Sequence, residues 1–152
     1  MLEIRSVLMV TILAAFLFAV IAQATGDPDD AINYRQKVMN GNVAHIGAIA
    51  DVLKGKVPHS SHILGHARAL QALSLMLDDI FPPDSDFGQT RAKPEIWQQP
   101  EKFKAVVKAY QDATVVLVQA AESGDMAAIG DAMGGVGKSC GGCHKPFRKP
   151  KD

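Results

Sequence analysis

Cys140, Cys143 and His144 stand in one run near the C-terminal end, Cys-Gly-Gly-Cys-His, and the chain of 152 residues holds no other cysteine. On a helix, residues three apart share a face, so the two thiols project side by side. His144 falls one turn beyond Cys140. Thiols placed this way can add across the two vinyl groups on one edge of a porphyrin, and the histidine that follows can reach the iron. C-x-x-C-H is the attachment signature of a c-type haem. Two other chemistries use the same residue types. A thiol–disulfide pair normally opens a helix just after a strand, where the thiol pKa is lowered, and this pair lies late in a helical stretch. A zinc site needs about four ligands, more than these three residues supply.

The first segment is read apart from the fold. Arg5 provides a positive start, Ser6 to Ala22 is a near-continuous apolar run, and Ala22-Gln23-Ala24 is a cleavage signature. Residues 1–24 are therefore expected to be a cleaved signal peptide, leaving 25–152 as one haem-binding domain. The competing reading is an uncleaved anchor, although the run sits at the short edge of the roughly 17–25 residues a spanning helix needs. Export fits the cysteines: in an oxidising compartment a lone C-x-x-C would become a disulfide, and covalent haem is one of its few other fates. Sixteen basic residues balance sixteen acidic ones, which gives no reason to expect a nucleic-acid partner or, after cleavage, a membrane surface.

The elements that must position the motif are helical throughout. Asp27-Pro28 reads as an N-cap and first helical residue. The inward stripe then runs Ile32, Arg35, Met39, Asn42/Val43, Ile46, Ile49/Ala50 and Leu53, stopped by Gly55 and Pro58. A second helix begins near Ser60 or Ser61 and ends at Phe81-Pro82-Pro83. The stretch Asp84–Gln99 is a long connection carrying Trp97, expected to be packed by its own side chains or functional. A third helix starts at Pro100, and Asp125 caps the fourth, which carries the motif. Four such helices on short turns read as an all-α, antiparallel up-down-up-down bundle with haem near one end. Six glycines in the fourth helix (130, 134, 135, 137, 141 and 142) each cost about 1 kcal/mol against alanine. They allow close approach either of a flat macrocycle or of neighbouring helices.

Four stretches together carry a family likeness: Tyr34-Arg35-Gln36, Thr90-Arg91-Ala92-Lys93-Pro94-Glu95-Ile96-Trp97, Val136-Gly137-Lys138-Ser139-Cys140, and Cys143-His144 with Phe147-Arg148. The chain resembles cytochrome c′, a haem four-helix bundle of bacterial periplasms, over essentially all of 25–152. The position of C-x-x-C-H near the C-terminus is specific, because most other c-type cytochromes carry it near the N-terminus. The resemblance implies a periplasmic protein with one haem c and a five-coordinate iron bound by His144. It further implies binding of nitric oxide or carbon monoxide, single-electron exchange with a redox partner, and homodimers paired through the first two helices. By the same likeness Arg35 lies near a haem propionate, Arg148 lies beside the proximal face, and Met39 fills the distal pocket. Here the reading divides. Met39 is either a non-coordinating filler or, as in the related low-spin cytochromes c-556, a sixth ligand to the iron.

The remaining polar features have plainer readings. His62 and His66 stand four apart and could chelate a metal, but read as solvated side chains, and His45 lies off the inward stripe and so is not expected at the iron. The basic tail of Lys145, Arg148, Lys149 and Lys151 complements the negative end of the fourth helix and could dock an acidic partner. No nucleophile–base pair, phosphate loop or carboxylate pair stands out, so a binding and electron-carrying protein is expected, not an enzyme.

Overall fold

The fold was obtained as a computed structural model that describes residues 27–150; the expected signal peptide at 1–24 lies outside the described residues. Helix α1 spans Pro28–Leu53, and its cap forms as expected, with the Asp27 carboxylate accepting from the Asp29 amide at 2.9 Å. A 3-10 turn at Ser60–His62 leads into α2, Ile63–Leu75, and a second 3-10 turn at Met76–Asp78 closes it. A short helix α3, Glu95–Gln98, breaks the long connection. Helix α4 runs Pro100–Ser123 and ends on Gly124, whose φ of 72° is the left-handed cap that glycine adopts without strain. Helix α5, Met126–Phe147, is capped by Asp125, which accepts from the Ala127 and Ala128 amides.

Short connections join α1 to α2 and α4 to α5, and the long connection brings α4 back onto α2, so consecutive long helices are antiparallel neighbours. Helix α1 packs on α2, α2 on α4 and α4 on α5, while the seam where α5 returns to α1 is much the most sparsely packed of the four. The core between them is held by Ile49, Ile63, Leu70, Leu117, Ile129 and Val136, all essentially excluded from water. Burying each such side chain contributes about 1.5–3 kcal/mol.

The register of α1 differs in part from the sequence reading. Val38 and Val52 are buried, whereas Val43 is 70% exposed. Asn42 takes the inward place alone, donating from Nδ2 to the Val38 carbonyl and accepting at Oδ1 from the Tyr110 hydroxyl of α4. A polar residue whose groups are all bonded can be buried at little cost, and that displaced the valine beside it.

The connection after α2 is pinned from α1. Arg35 is only 4% exposed. Its Nη1 donates to Ser85 Oγ at 2.9 Å and more weakly to the Ile80 carbonyl, and its Nη2 donates to the Ser85 carbonyl at 2.8 Å and to Thr90 Oγ1 at 2.9 Å. The guanidinium also lies over the Phe81 ring, 4.8 Å from its centroid. Trp97 anchors the same connection, its indole N–H donating to the Phe81 and Pro82 carbonyls. The long loop is thus fastened from within by Trp97 and from α1 by Arg35.

Candidate haem site

Helix α5 presents both thiols to the bundle. Cys140 and Cys143 are half-buried, unbridged, and packed against the core together with Met39, Phe81 and Trp97. Burial pushes the Cys140 thiol up against a smaller opposing backbone hydrogen bond. Burial, then the charge of Cys140, raises Cys143 to about 11. Both thiols therefore stay protonated near neutral pH, the opposite of an activated redox cysteine. The same burial places them where a macrocycle bonded to them lies against apolar side chains.

His144 sits in the last turn of α5. Desolvation, then the positive charges of Arg148 and Arg91, hold its pKa below the usual histidine range. A neutral imidazole is the form that binds a metal. Beyond it the helix stops at Phe147, and the chain turns back to form an antiparallel bridge between Ala92 and Arg148. Phe147 itself is buried, edge-on to Phe103 at 5.3 Å.

The glycines of α5 resolve one of the two sequence readings. A Cβ built at Gly130, Gly134, Gly135, Gly137, Gly141 or Gly142 meets nothing within 4 Å. None of the six is required by a close helix–helix contact, which corrects that half of the expectation. The paired half-buried thiols on the core and the histidine directly after them together fit a covalently attached haem.

The structure thus brings Cys140, Cys143 and Met39 to one core, and His144 and Arg148 to one end of α5. Arg35 is bonded to the 80–90 segment; of its donors, only Nε–H has no acceptor among the described residues. His45 is engaged elsewhere, its Nδ1 2.9 Å from His66 Nδ1 across α1 and α2, and His59 stacks on His62. Sequence reasoning missed that pairing and the roles of Tyr110, Ser85 and Thr90. Each depends on a partner at least 21 positions away in the chain, the separation of His45 from His66.

A C-x-x-C-H run on the last helix of an antiparallel four-helix bundle defines a class, the bundle-type c-type cytochromes. Within that class the chain belongs to the cytochrome c′ family, whose model, described as Cytochrome C', matches residues 30–148. It is 37% identical over 125 residues to cytochrome c′ of Alcaligenes xylosoxydans xylosoxydans, covering 82% of this chain and 97% of that protein. The fold is similar to a nitric oxide complex of a substituted cytochrome c prime from Alcaligenes xylosoxidans, with a TM-score of 0.77 and 36% identity over 83% of this chain and 98% of the other. A carbon monoxide-bound variant of that protein matches with a TM-score of 0.76, 36% identity, and coverage of 82% and 98%. The cofactor of the family is covalently bound haem c, and the two cysteines here suit it.

Proposed function

We propose that this chain is an exported c-type cytochrome that binds nitric oxide or carbon monoxide at a five-coordinate haem and exchanges single electrons with a redox partner. The observation that carries the reading is the pair of half-buried thiols packed on the core together with Met39, followed at once by His144 in the last turn of α5. Cys140 and Cys143 form the thioether bonds, and His144 is the proximal ligand. When bound, the haem supplies an iron that takes diatomic ligands and cycles between two oxidation states. The chain's part is to fix it covalently, to exclude water around it with the apolar core, and to set which side of the iron is open.

Met39, half-buried and packed on the same core as the cysteines, fills the distal side without binding iron. Arg35 keeps Nε–H for a propionate while its other donors hold the 80–90 segment. Arg148 places a positive charge beside the proximal face. Removal of residues 1–24 would deliver the domain 25–152 to the periplasm; among the described residues no helix is long and apolar enough to cross a membrane. Two copies pair through α1 and α2, where Val43, Tyr34 and Leu75 are exposed, and sedimentation should give twice the chain mass.

A second reading rests on that same placement of Met39: its thioether binds the iron as sixth ligand and makes the protein a pure electron carrier. The visible spectrum of the purified ferric and ferrous protein separates the two. High-spin bands and rapid carbon monoxide binding support the first. A low-spin spectrum with a methionine-to-iron charge-transfer band that disappears in Met39→Ala establishes the second. Absence of covalent haem would sink both and return the cysteines to thiol–disulfide chemistry.

A further inference from the structure

The turn after His144 is held in place by a residue from the long connection. Arg91 grips Lys149 three ways: its Nε and Nη2 donate to the Lys149 carbonyl at 3.1 and 2.8 Å, and its own carbonyl accepts from the Lys149 amide at 2.7 Å. One step along, the Lys93 amide donates to the Phe147 carbonyl at 3.0 Å. Arg148 is bracketed between these two attachments, with its own amide bonded back to the His144 carbonyl at 3.1 Å. The backbone around Arg148 therefore has no freedom that does not first break a bond to segment 91–93. That segment is fixed at its other end, because Thr90 Oγ1 accepts both from Arg35 Nη2 at 2.9 Å and from the Ala92 amide at 3.1 Å. Among the described residues no carboxylate pairs with Arg91 or Arg148, so neither positive charge is compensated by an ion pair.

The geometry points to Arg91 as a positioning residue for the proximal side of the haem: its forked grip on the Lys149 carbonyl sets where the Arg148 guanidinium stands relative to His144. The inference rests on the reading of His144 as the iron ligand. A guanidinium presents a planar fork that a lysine ammonium does not reproduce, so the grip depends on arginine as such and not on its charge alone. Arg91 makes no hydrogen bond to His144; apart from its charge, which is felt there beside that of Arg148, it acts through Arg148.

Resonance Raman spectroscopy of the ferrous holoprotein tests this through the iron–histidine stretching band. Arg148→Ala should shift the band. Arg91→Lys, which keeps the charge near His144 and loses the fork, should shift it in the same direction by at least half as much. The Arg91→Lys/Arg148→Ala double variant should move no further than Arg148→Ala alone. Additive shifts in the double variant, a wild-type band in Arg91→Lys, or an unmoved band in Arg148→Ala would each overturn the assignment. Absence of an iron–histidine band in the unsubstituted protein is a different outcome: it removes His144 from the iron, and the positioning role goes with it. Far-UV circular dichroism on every variant confirms that the bundle is intact, and Arg91→Lys is the least disruptive of the set.

Discussion

Replacing Arg35 by methionine isolates what the buried guanidinium does, since methionine keeps most of the apolar stem. Two of its acceptors survive the loss. Ser85 Oγ still donates to the Pro82 carbonyl, and Thr90 Oγ1 still accepts from the Ala92 amide. The Ser85 carbonyl has no such replacement and Ser85 is fully buried, while the Ile80 carbonyl loses only a weak bond at 3.4 Å. An orphaned buried acceptor costs about 1–3 kcal/mol, and the lost contact over Phe81 adds about 1 kcal/mol. The expected loss of unfolding free energy is therefore about 2–4 kcal/mol. Chemical denaturation of the holoprotein, followed by far-UV circular dichroism, measures it. Arg35→Lys should fall between the two, because a single ammonium cannot reach Ser85 and Thr90 together. Amide exchange in residues 80–92 should accelerate more than exchange in α4. A loss below about 1 kcal/mol, with exchange in 80–92 unchanged, would refute the reasoning: the connection would then be held by Trp97 and its own turns, and Arg35 would be free for another task.

Cys140→Ser or Cys143→Ser should leave at most one thioether, seen as a shifted alkaline pyridine haemochrome band; an unshifted band would mean that the residue does not bond the porphyrin. Tyr110→Phe strands the Asn42 Oδ1 atom inside the core and should destabilise the bundle by about 1–2 kcal/mol in the same denaturation assay. Desolvation, then the charges of His45 and His62, lower the pKa of His66, so the unfolded chain takes up that proton more readily than the fold. This contribution to stability is present above the unfolded value of about 6.5 and is lost as the pH falls below it, and comparing denaturation midpoints at about pH 7.5 and about pH 5.5 reads the slope. His66→Asn should flatten that slope; an unchanged slope assigns the acid sensitivity elsewhere.

Local chemistry was legible in the sequence where it is carried by neighbours in the chain. Asp27 and Asp125 cap their helices, Pro100 opens α4, and the motif lies at the end of α5, each as its flanking residues indicate. The inward face of α1 was only partly legible. Hydrophobicity admits both Asn42 and Val43, and the choice was made by Tyr110, 68 positions away. The connection was the least legible part: its composition suggests a loop, while its fixed shape comes from Arg35 on α1 and from the backbone at 147–149. Thr90 and Arg91 were visible as part of a familiar string of residues, but nothing local to them shows what they grip. Arg35 itself was placed on the inward stripe correctly, yet the loop it fastens could not be read from α1.

If Cys140, Cys143 and His144 hold the haem, every anchor of the cofactor stands on the last helix, α5. Helices α1, α2 and α4 precede Cys140 and Cys143 in the order of synthesis, and Leu117, Val107 and Tyr110 of α4 are buried in the finished fold, where α4 and α5 are the most closely packed pair of helices. The seam between α1 and α5 is the least closely packed of the four, and the bridge from Ala92 to Arg148 ties the end of α5 to the long connection. In such an architecture haem attachment and the docking of α5 would involve the same helix, so each would favour the other wherever in the cell they take place.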